Sequence, residues 1–326
     1  MGNEWTLREK SLDIDHKMVL IANLLGSEQE KDLSKPPNCG GYGRIKHFRI
    51  RRYNDWSPDP LPNLPAAAAL GRPSDAMLEA QVFQIAACNW NCWYCFVDTD
   101  RRNADRANSK FFTAEQLIEL MLQEESRPDV IDLSGGQPDI VPEWTLWMME
   151  ALIQKGLEKD VFLWNDDNLS VDFFKRFLSD NQISRMIEYP KYARVGCFKG
   201  FDPSSFSFNT SAPPEKYNAQ FDVFSSVLEY GFDMYAYVTF TSEKTNDLQL
   251  RMSSFVDRLQ KIHPNMPLRT VPLKIEAFSP TKLRMTDTRR KALQNQYVVH
   301  REWCCVLESR FSERERLLPI DKVSLD

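Results

Sequence analysis

Residues 88–95 read Cys-Asn-Trp-Asn-Cys-Trp-Tyr-Cys, three cysteines at CxxxCxxC spacing. Just before them stands QVFQIAA, an apolar run that reads as a strand ending at Cys88. Three thiols at a strand end leave a question of ligand number. Structural zinc takes four protein ligands, and a cubane iron–sulfur cluster has four iron corners. No further His or Cys stands within twenty residues on either side to complete a zinc site. Three thiolates on a cubane leave one iron open for a substrate or cofactor. A zinc knuckle, or three buried thiols, is the alternative reading of the same residues.

Working outward, the stretch opens a run of alternating strands and helices. TAEQLIELMLQEE reads as a helix with Thr113 and Gln116 spaced as a capping box. VIDLS, DVFLW, ARVGCF, MYAYVTF and TVPLKIEAF read as strands. PEWTLWMMEALIQKG, SVDFFKRFLSD, EKYNAQFDVFSSVLEYG and NDLQLRMSSFVDRLQKI read as the helices between them. Six β–α units in a row predict an α/β fold with a parallel sheet, curled into a partial (β/α)6 TIM-like barrel over residues 79–280. Residues 1–78 form an N-terminal extension. Its stretch Lys17 to Leu25 reads as a helix, and the Pro- and Gly-rich segment after it reads as extended chain wrapping the barrel. Residues 281–326 read as a charged helical tail.

Composition narrows the function class. A net charge of −5 gives no support to wholesale nucleic-acid or anionic-membrane binding. No apolar run approaches the ~18 residues of a membrane span. The N-terminus, MGNEWTLREKSLDIDHK, is too charged for a signal peptide, so a cytoplasmic protein with reduced thiols is expected. Seven cysteines in 326 residues do not look like a disulfide framework. The four histidines, at positions 16, 47, 263 and 300, show no ligand spacing.

In a parallel α/β sheet, chemistry gathers where strands end, and each unusual motif falls there. Asp132-Leu-Ser-Gly135-Gly136-Gln137-Pro138 follows the second strand; the glycines let a backbone approach a ligand closely, or simply make a turn. Trp164-Asn165-Asp166-Asp167-Asn168 follows the third, with amides and carboxylates suited to hydroxyl groups or to capping the next helix. Cys197-Phe198-Lys199 follows the fourth, where Cys197 reads as a buried small hydrophobe. At the sixth, Lys274 and Glu276 are weaker substrate-site candidates. The basic patch from Arg44 to Arg52 reads as a solvated strand edge, with a phosphate or carboxylate site as the alternative. Cys304-Cys305, with Cys39 and Cys197, lacks the CxxC spacing expected of an auxiliary cluster.

The spacing of Cys88, Cys92 and Cys95, with aromatic Tyr94 before the last, resembles the radical S-adenosylmethionine superfamily. The resemblance covers residues of about 80–280 and rests on four motifs in the expected order. It implies a [4Fe-4S] cluster on Cys88, Cys92 and Cys95, with the methionyl amine and carboxylate of S-adenosylmethionine on the fourth iron. Gly135, Gly136, Gln137 and Pro138 resemble the family's GGEP motif, which meets the cofactor's amine; Gln137 keeps an acceptor and loses a charge. Tyr94 stands where the family keeps an aromatic beside the cofactor. Asn165 and Asp166 lie where the family contacts the ribose. Lys199 matches a strand-end lysine that meets the cofactor carboxylate in glycyl-radical activating enzymes such as the pyruvate formate-lyase activating enzyme, although Cys197 replaces an acid common there. The implied activity is reduction by a flavodoxin- or ferredoxin-like donor, cleavage of the sulfonium to a 5′-deoxyadenosyl radical, and hydrogen abstraction from a small-molecule or peptide substrate. Trp90, Trp93 and Phe96 would shield the cluster. Two alternatives remain: an activase making a glycyl radical on a partner protein, and a non-catalytic zinc or iron–sulfur protein.

Overall fold

The computed structural model describes residues 3–325. Met1, Gly2 and Asp326, the outermost residues of the two expected flanking segments, lie outside the described residues. The strands are β1 (Leu12–Asp13), β2 (Met18–Ala22), β3 (Gly43–Phe48), β4 (Leu78–Gln84), β5 (Ser109–Thr113), β6 (Val130–Ser134), β7 (Phe162–Asp167), β8 (Tyr192–Phe198), β9 (Met234–Thr239) and β10 (Thr270–Leu273). The helices are α1 (Asn3–Ser11), α2 (Asn63–Leu70), α3 (Ala114–Gln123), α4 (Glu143–Gln154), α5 (Phe174–Phe177), α6 (Asp180–Ile187), α7 (Pro203–Thr210), α8 (Lys216–Glu229), α9 (Leu248–Ile262), α10 (Ser279–Leu283), α11 (Asp287–Arg310) and α12 (Glu313–Arg316).

A seven-stranded sheet runs in the order β10-β9-β8-β7-β6-β4-β3. Its strands from β4 to β10 pair in parallel, while β3 adds antiparallel to β4. Parallel neighbours need a crossover, and the intervening helices supply it. Among the described residues no ladder joins β10 to β3, so the sheet keeps two edges. A second, small sheet pairs β2 between β1 and β5.

The large sheet packs a different core on each face. On the helix face, Leu133, Leu163 and Phe198 join the side chains of α3, α4, α8 and α9 in the main core. On the inner face, Leu78, Ala80, Val130, Phe162, Ala193, Tyr235 and Val271 form a second core with Leu61, Ala66, Ala67 and Ile320. These inner residues stand toward the N-terminal ends of the parallel strands, so α2 and residues near it plug that end with apolar atoms. The C-terminal ends are left to polar side chains.

Three local readings are corrected. Lys17 to Leu25 is no helix: Met18–Ala22 is a strand, because a continuous apolar run with Val19 and Ile21 satisfies a buried strand as well as a helix, and β5 offers a partner. SVDFFKRFLSD does not run as one helix; it stops at Phe177, and Ser179 with Gln182 forms a capping box that starts α6. The sixth strand ends at Leu273 rather than Phe278. There, Ile275 gives its amide to the Gln296 side chain of α11 in place of a neighbouring strand. The capping box of Thr113 and Gln116 forms as expected. No helix among the described residues is long and apolar enough to cross a membrane.

Candidate functional site

The segment carrying the three cysteines follows β4 and is pinned on several sides. Cys88 N–H donates to Arg102 carbonyl at 2.8 Å, and Arg102 donates back to the carbonyl of Trp90 at 2.7 Å. Trp90 Nε1 donates to the carbonyl of Asn168 beyond β7, and Trp93 Nε1 to Asn209 Oδ1 on α7. The backbone amides of Asn91 and Trp93 donate to the carbonyls of Thr210 and Asn209. Arg284, just past α10, donates to the carbonyl of Cys92 at 3.1 Å and to that of Cys95. Thr281 donates to the carbonyl of Tyr94 at 3.2 Å. The loop is therefore held by elements from β7, α7 and the segment around α10.

All three thiols are free; Cys92 is buried and Cys88 and Cys95 are half-buried. Burial pushes Cys92 up to about 12, with the Lys199 ammonium working against it and Cys95 and Cys88 adding to it. Burial also raises Cys88, again with a contribution from Cys95. The three sulfurs thus share one electrostatic environment. No group of three His, Cys, Asp or Glu converges closely enough to hold a single metal ion among the described residues. Asn168 Nδ2 lies 3.6 Å from Cys88 Sγ, a donor within reach of the sulfur.

GGQP sits against this loop. Gln137 N–H donates to the carbonyl of Ala87 at 2.7 Å. A Cβ on Gly136 would overlap the carbonyl oxygens of Ala87 and Ile85, and Gly135, at φ +85°, packs on the Gln84 side chain. The close backbone approach that needs glycine here is to the chain leading into Cys88. The Gln137 side chain is buried and turned to β7: it donates to Asp167 Oδ1 at 2.6 Å and accepts from Asn168 N–H at 2.8 Å. Pro138 opens a short turn through Ile140 behind the loop.

Adjacent residues of β7 face opposite ways. Asn165 lies on the helix face, where its amide donates to Thr145 on α4 at 2.8 Å. Asp167, also on that face, meets Arg194, which is fully buried and pairs with Asp139 as well. Asp166 points to the inner face with Trp164, whose Nε1 donates to it at 3.0 Å. Of the two proposed ribose contacts, only Asp166 joins the inner cluster.

That cluster is richer than the sequence suggested. Asp132 on β6 is buried and pushed up to about 7, by burial first and Asp166 next, against Lys46 and Arg44. Burial raises Asp166 too, with Lys46, Lys199 and Arg44 opposing. Lys199 is half-buried; burial lowers its affinity for a proton, and Cys197, Tyr94, Cys92 and Cys88, where ionised, raise it by more. Tyr94 sends its hydroxyl to within 3.3 Å of Thr239 Oγ1 at the end of β9. Cys197 is buried on the same face, as expected of a small hydrophobe.

The basic patch lies on the sheet's edge strand, as expected, but it is not fully solvated. Arg44 and Lys46 alternate along β3 with buried Ile45, so both turn to the inner face and are half-buried; Arg49, beyond the strand, is exposed. Arg44 lies over Phe96, 5.2 Å from its centroid, next to Cys95. Lys274 is paired with Asp55 at 3.2 Å, and Glu276 is exposed. Cys39 is buried beside Glu124, Cys304 lies 3.7 Å from His300, and Cys305, its neighbour in the chain, is exposed. Sequence reasoning missed Arg102, Asn209 and Arg284, which carry no local motif.

No family model matches the chain, and no curated protein matches it. Among solved structures, Streptococcus suis SuiB bound to S-adenosylmethionine aligns over 54% of this chain at 13% identity, with a TM-score of 0.38. SuiB bound to precursor peptide SuiA aligns over 56% at 12% identity, with the same TM-score. In both cases the chain spans 36% of SuiB's length.

Proposed function

We propose that this chain is a radical S-adenosylmethionine enzyme, built on a partial (β/α)6 barrel, that acts on a small-molecule or peptide substrate. One observation carries the reading. The cysteines, GGQP and Lys199 follow β4, β6 and β8, and Asn165–Asn168 ends β7, so all four lie at the same end of adjacent parallel strands of one sheet. Strand ends of parallel sheets are where such folds do chemistry.

The donor set fits the group. Three free thiols share one environment beside a cation, Lys199, with the buried Cys197 thiol nearby. Cys88, Cys92 and Cys95 would hold a [4Fe-4S] cluster. When bound, that cluster and S-adenosylmethionine supply one-electron cleavage of a sulfonium to a 5′-deoxyadenosyl radical, with the electron coming from a flavodoxin- or ferredoxin-like donor.

The chain's own residues hold, orient and shield. Arg284 and Arg102 fix the backbone of the cysteine loop through its carbonyls. Asn168 offers a hydrogen bond to Cys88 sulfur, a contact that tunes thiolate basicity. Lys199 would meet the cofactor carboxylate, with Tyr94 close to it. Asp166 is the remaining ribose candidate on the inner face. Trp90, Trp93 and Phe96 close the loop against water.

The test is anaerobic reconstitution. Iron and sulfide near ~4 each per chain, and 5′-deoxyadenosine released on adding dithionite and S-adenosylmethionine, are the expected results. Zinc without labile sulfide, or no cleavage by a fully loaded protein, would overturn the reading. Lys199→Ala should weaken S-adenosylmethionine binding about tenfold, the loss of one charge-assisted contact, while iron content holds.

A further inference from the structure

The inner face carries three ionic side chains, Arg44, Lys46 and Asp132, that the cluster reading leaves unused, beside Asp166, its ribose candidate. Arg44, Val82, Asp132 and Trp164 stand in one row across β3, β4, β6 and β7. Lys46 is in the next row, opposite Ala80. Asp166 is two residues beyond Trp164 on the same face. Two strand spacings, about 10 Å, separate the backbones of Arg44 and Asp132. Between them lies Val82, and beside it Ala80, so long cations arch over a floor of small side chains.

Two of these groups carry orphaned atoms, while Asp166 already accepts from Trp164 Nε1. The Arg44 and Lys46 side chains make no hydrogen bond or close ion pair among the described residues; each lies over an aromatic ring, Phe96 and Phe48, and feels Asp132 and Asp166 only across a gap. Arg44 Nε is buried without an acceptor. Asp132 is 2% exposed, and its Oδ1 has no donor. Orphaned polar atoms of this kind are costly unless something fills them. The orphans have opposite sign, a donor on the Arg44 cation of β3 and an acceptor on the Asp132 carboxyl of β6, with the Asp166 carboxyl of β7 beside it. A purely anionic ligand would leave the carboxylates unmet, and a purely cationic one would leave Arg44 and Lys46 unmet.

We propose that Arg44, Lys46, Asp132 and Asp166 form a recognition site for a small zwitterion, a free α-amino acid, with its carboxylate against the two cations and its ammonium against the two carboxylates. The site rests on the proposed function only in making that amino acid the substrate; binding itself needs neither cluster nor cofactor. It also gives the N-terminal extension a task, since β3 brings the cations.

The full-length protein is titrated with each of the twenty free L-amino acids and with S-adenosylmethionine, without iron, using melting temperature and calorimetry. Each binder is retested as its N-acetyl and its carboxamide derivative. The expected result is at least one free amino acid that binds, with Kd raised about tenfold or more by either blocking group, by Arg44→Gln and by Asp132→Asn. Arg44→Lys should stay within a few-fold of the parent, which separates lost charge from lost folding. The proposal is overturned if no free amino acid binds, if blocking either end leaves affinity unchanged, or if S-adenosylmethionine is the only zwitterion held. Amino-acid binding by a protein that never cleaves S-adenosylmethionine keeps this site and sinks the radical chemistry; cleavage without amino-acid binding does the reverse.

Discussion

Gln137 Nε2 donates to Asp167 Oδ1 at 2.6 Å, both residues buried. This contact gives a physical account of the departure from GGEP. A glutamate there would set two carboxylates at hydrogen-bond distance in a site already holding Asp139. We expect Gln137→Glu to cost about 1–3 kcal/mol at neutral pH, and to recover as pH falls through the carboxylate range. Gln137→Glu with Asp167→Asn should restore most of it. Urea unfolding at two pH values checks this; equal costs at both would dismiss the account.

Gly136 has carbonyl oxygens of Ala87 and Ile85 where a Cβ would go. Backbone cannot swing aside as a side chain can. Gly136→Ala should therefore cost about 3 kcal/mol or more and push GGQP away from the cysteine loop. Thermal unfolding reads the first effect, and iron content after reconstitution the second. Full iron loading in a destabilised variant would mean that the two loops are not coupled.

Arg284 supplies donors to the carbonyls of Cys92 and Cys95. Arg284→Leu should destabilise by about 1–3 kcal/mol and shorten cluster lifetime under a chelator several-fold. An unchanged lifetime would reduce the contact to packing.

Acid and base act on two different buried groups. Asp132, pushed up to about 7 by burial and then Asp166, contributes stability below its ordinary 3.8 that is lost as pH rises toward 7. His300 is pushed down to about 4 by burial, with Asp55 opposing and Lys274 adding; it stacks on Trp56 and accepts from Ser57 N–H. Its contribution is present above 6.5 and is lost as pH falls toward 4. Relative to the parent, Asp132→Asn should gain stability steadily from pH 4 to 7, and His300→Gln should lose stability over the same window. Urea midpoints across that range decide it, and flat differences would count against the burial argument.

Much of the fold could be read from the chain because apolar runs followed by amphipathic ones leave few arrangements. The cysteines were legible for the same reason that they are useful: their spacing is rigid. Met18–Ala22 was not, since apolar residues at every position carry no period. Nor could the sequence say which of Asn165 and Asp166 faces inward, because one step along a strand reverses the face. Arg44 and Lys46 looked like an exposed edge until β4 fixed their register. Arg284 was invisible for another reason: 189 positions separate it from Cys95, and no local pattern links them.

That separation has a consequence for how the protein is made. The three thiols leave the ribosome well ahead of the arginine that fastens their loop. At translation rates of about 5–20 residues per second, the nascent chain waits roughly ten to forty seconds in between. If the proposed cluster is loaded, a chain halted before Arg284 should present its thiols yet lose iron on dilution far faster than the complete protein.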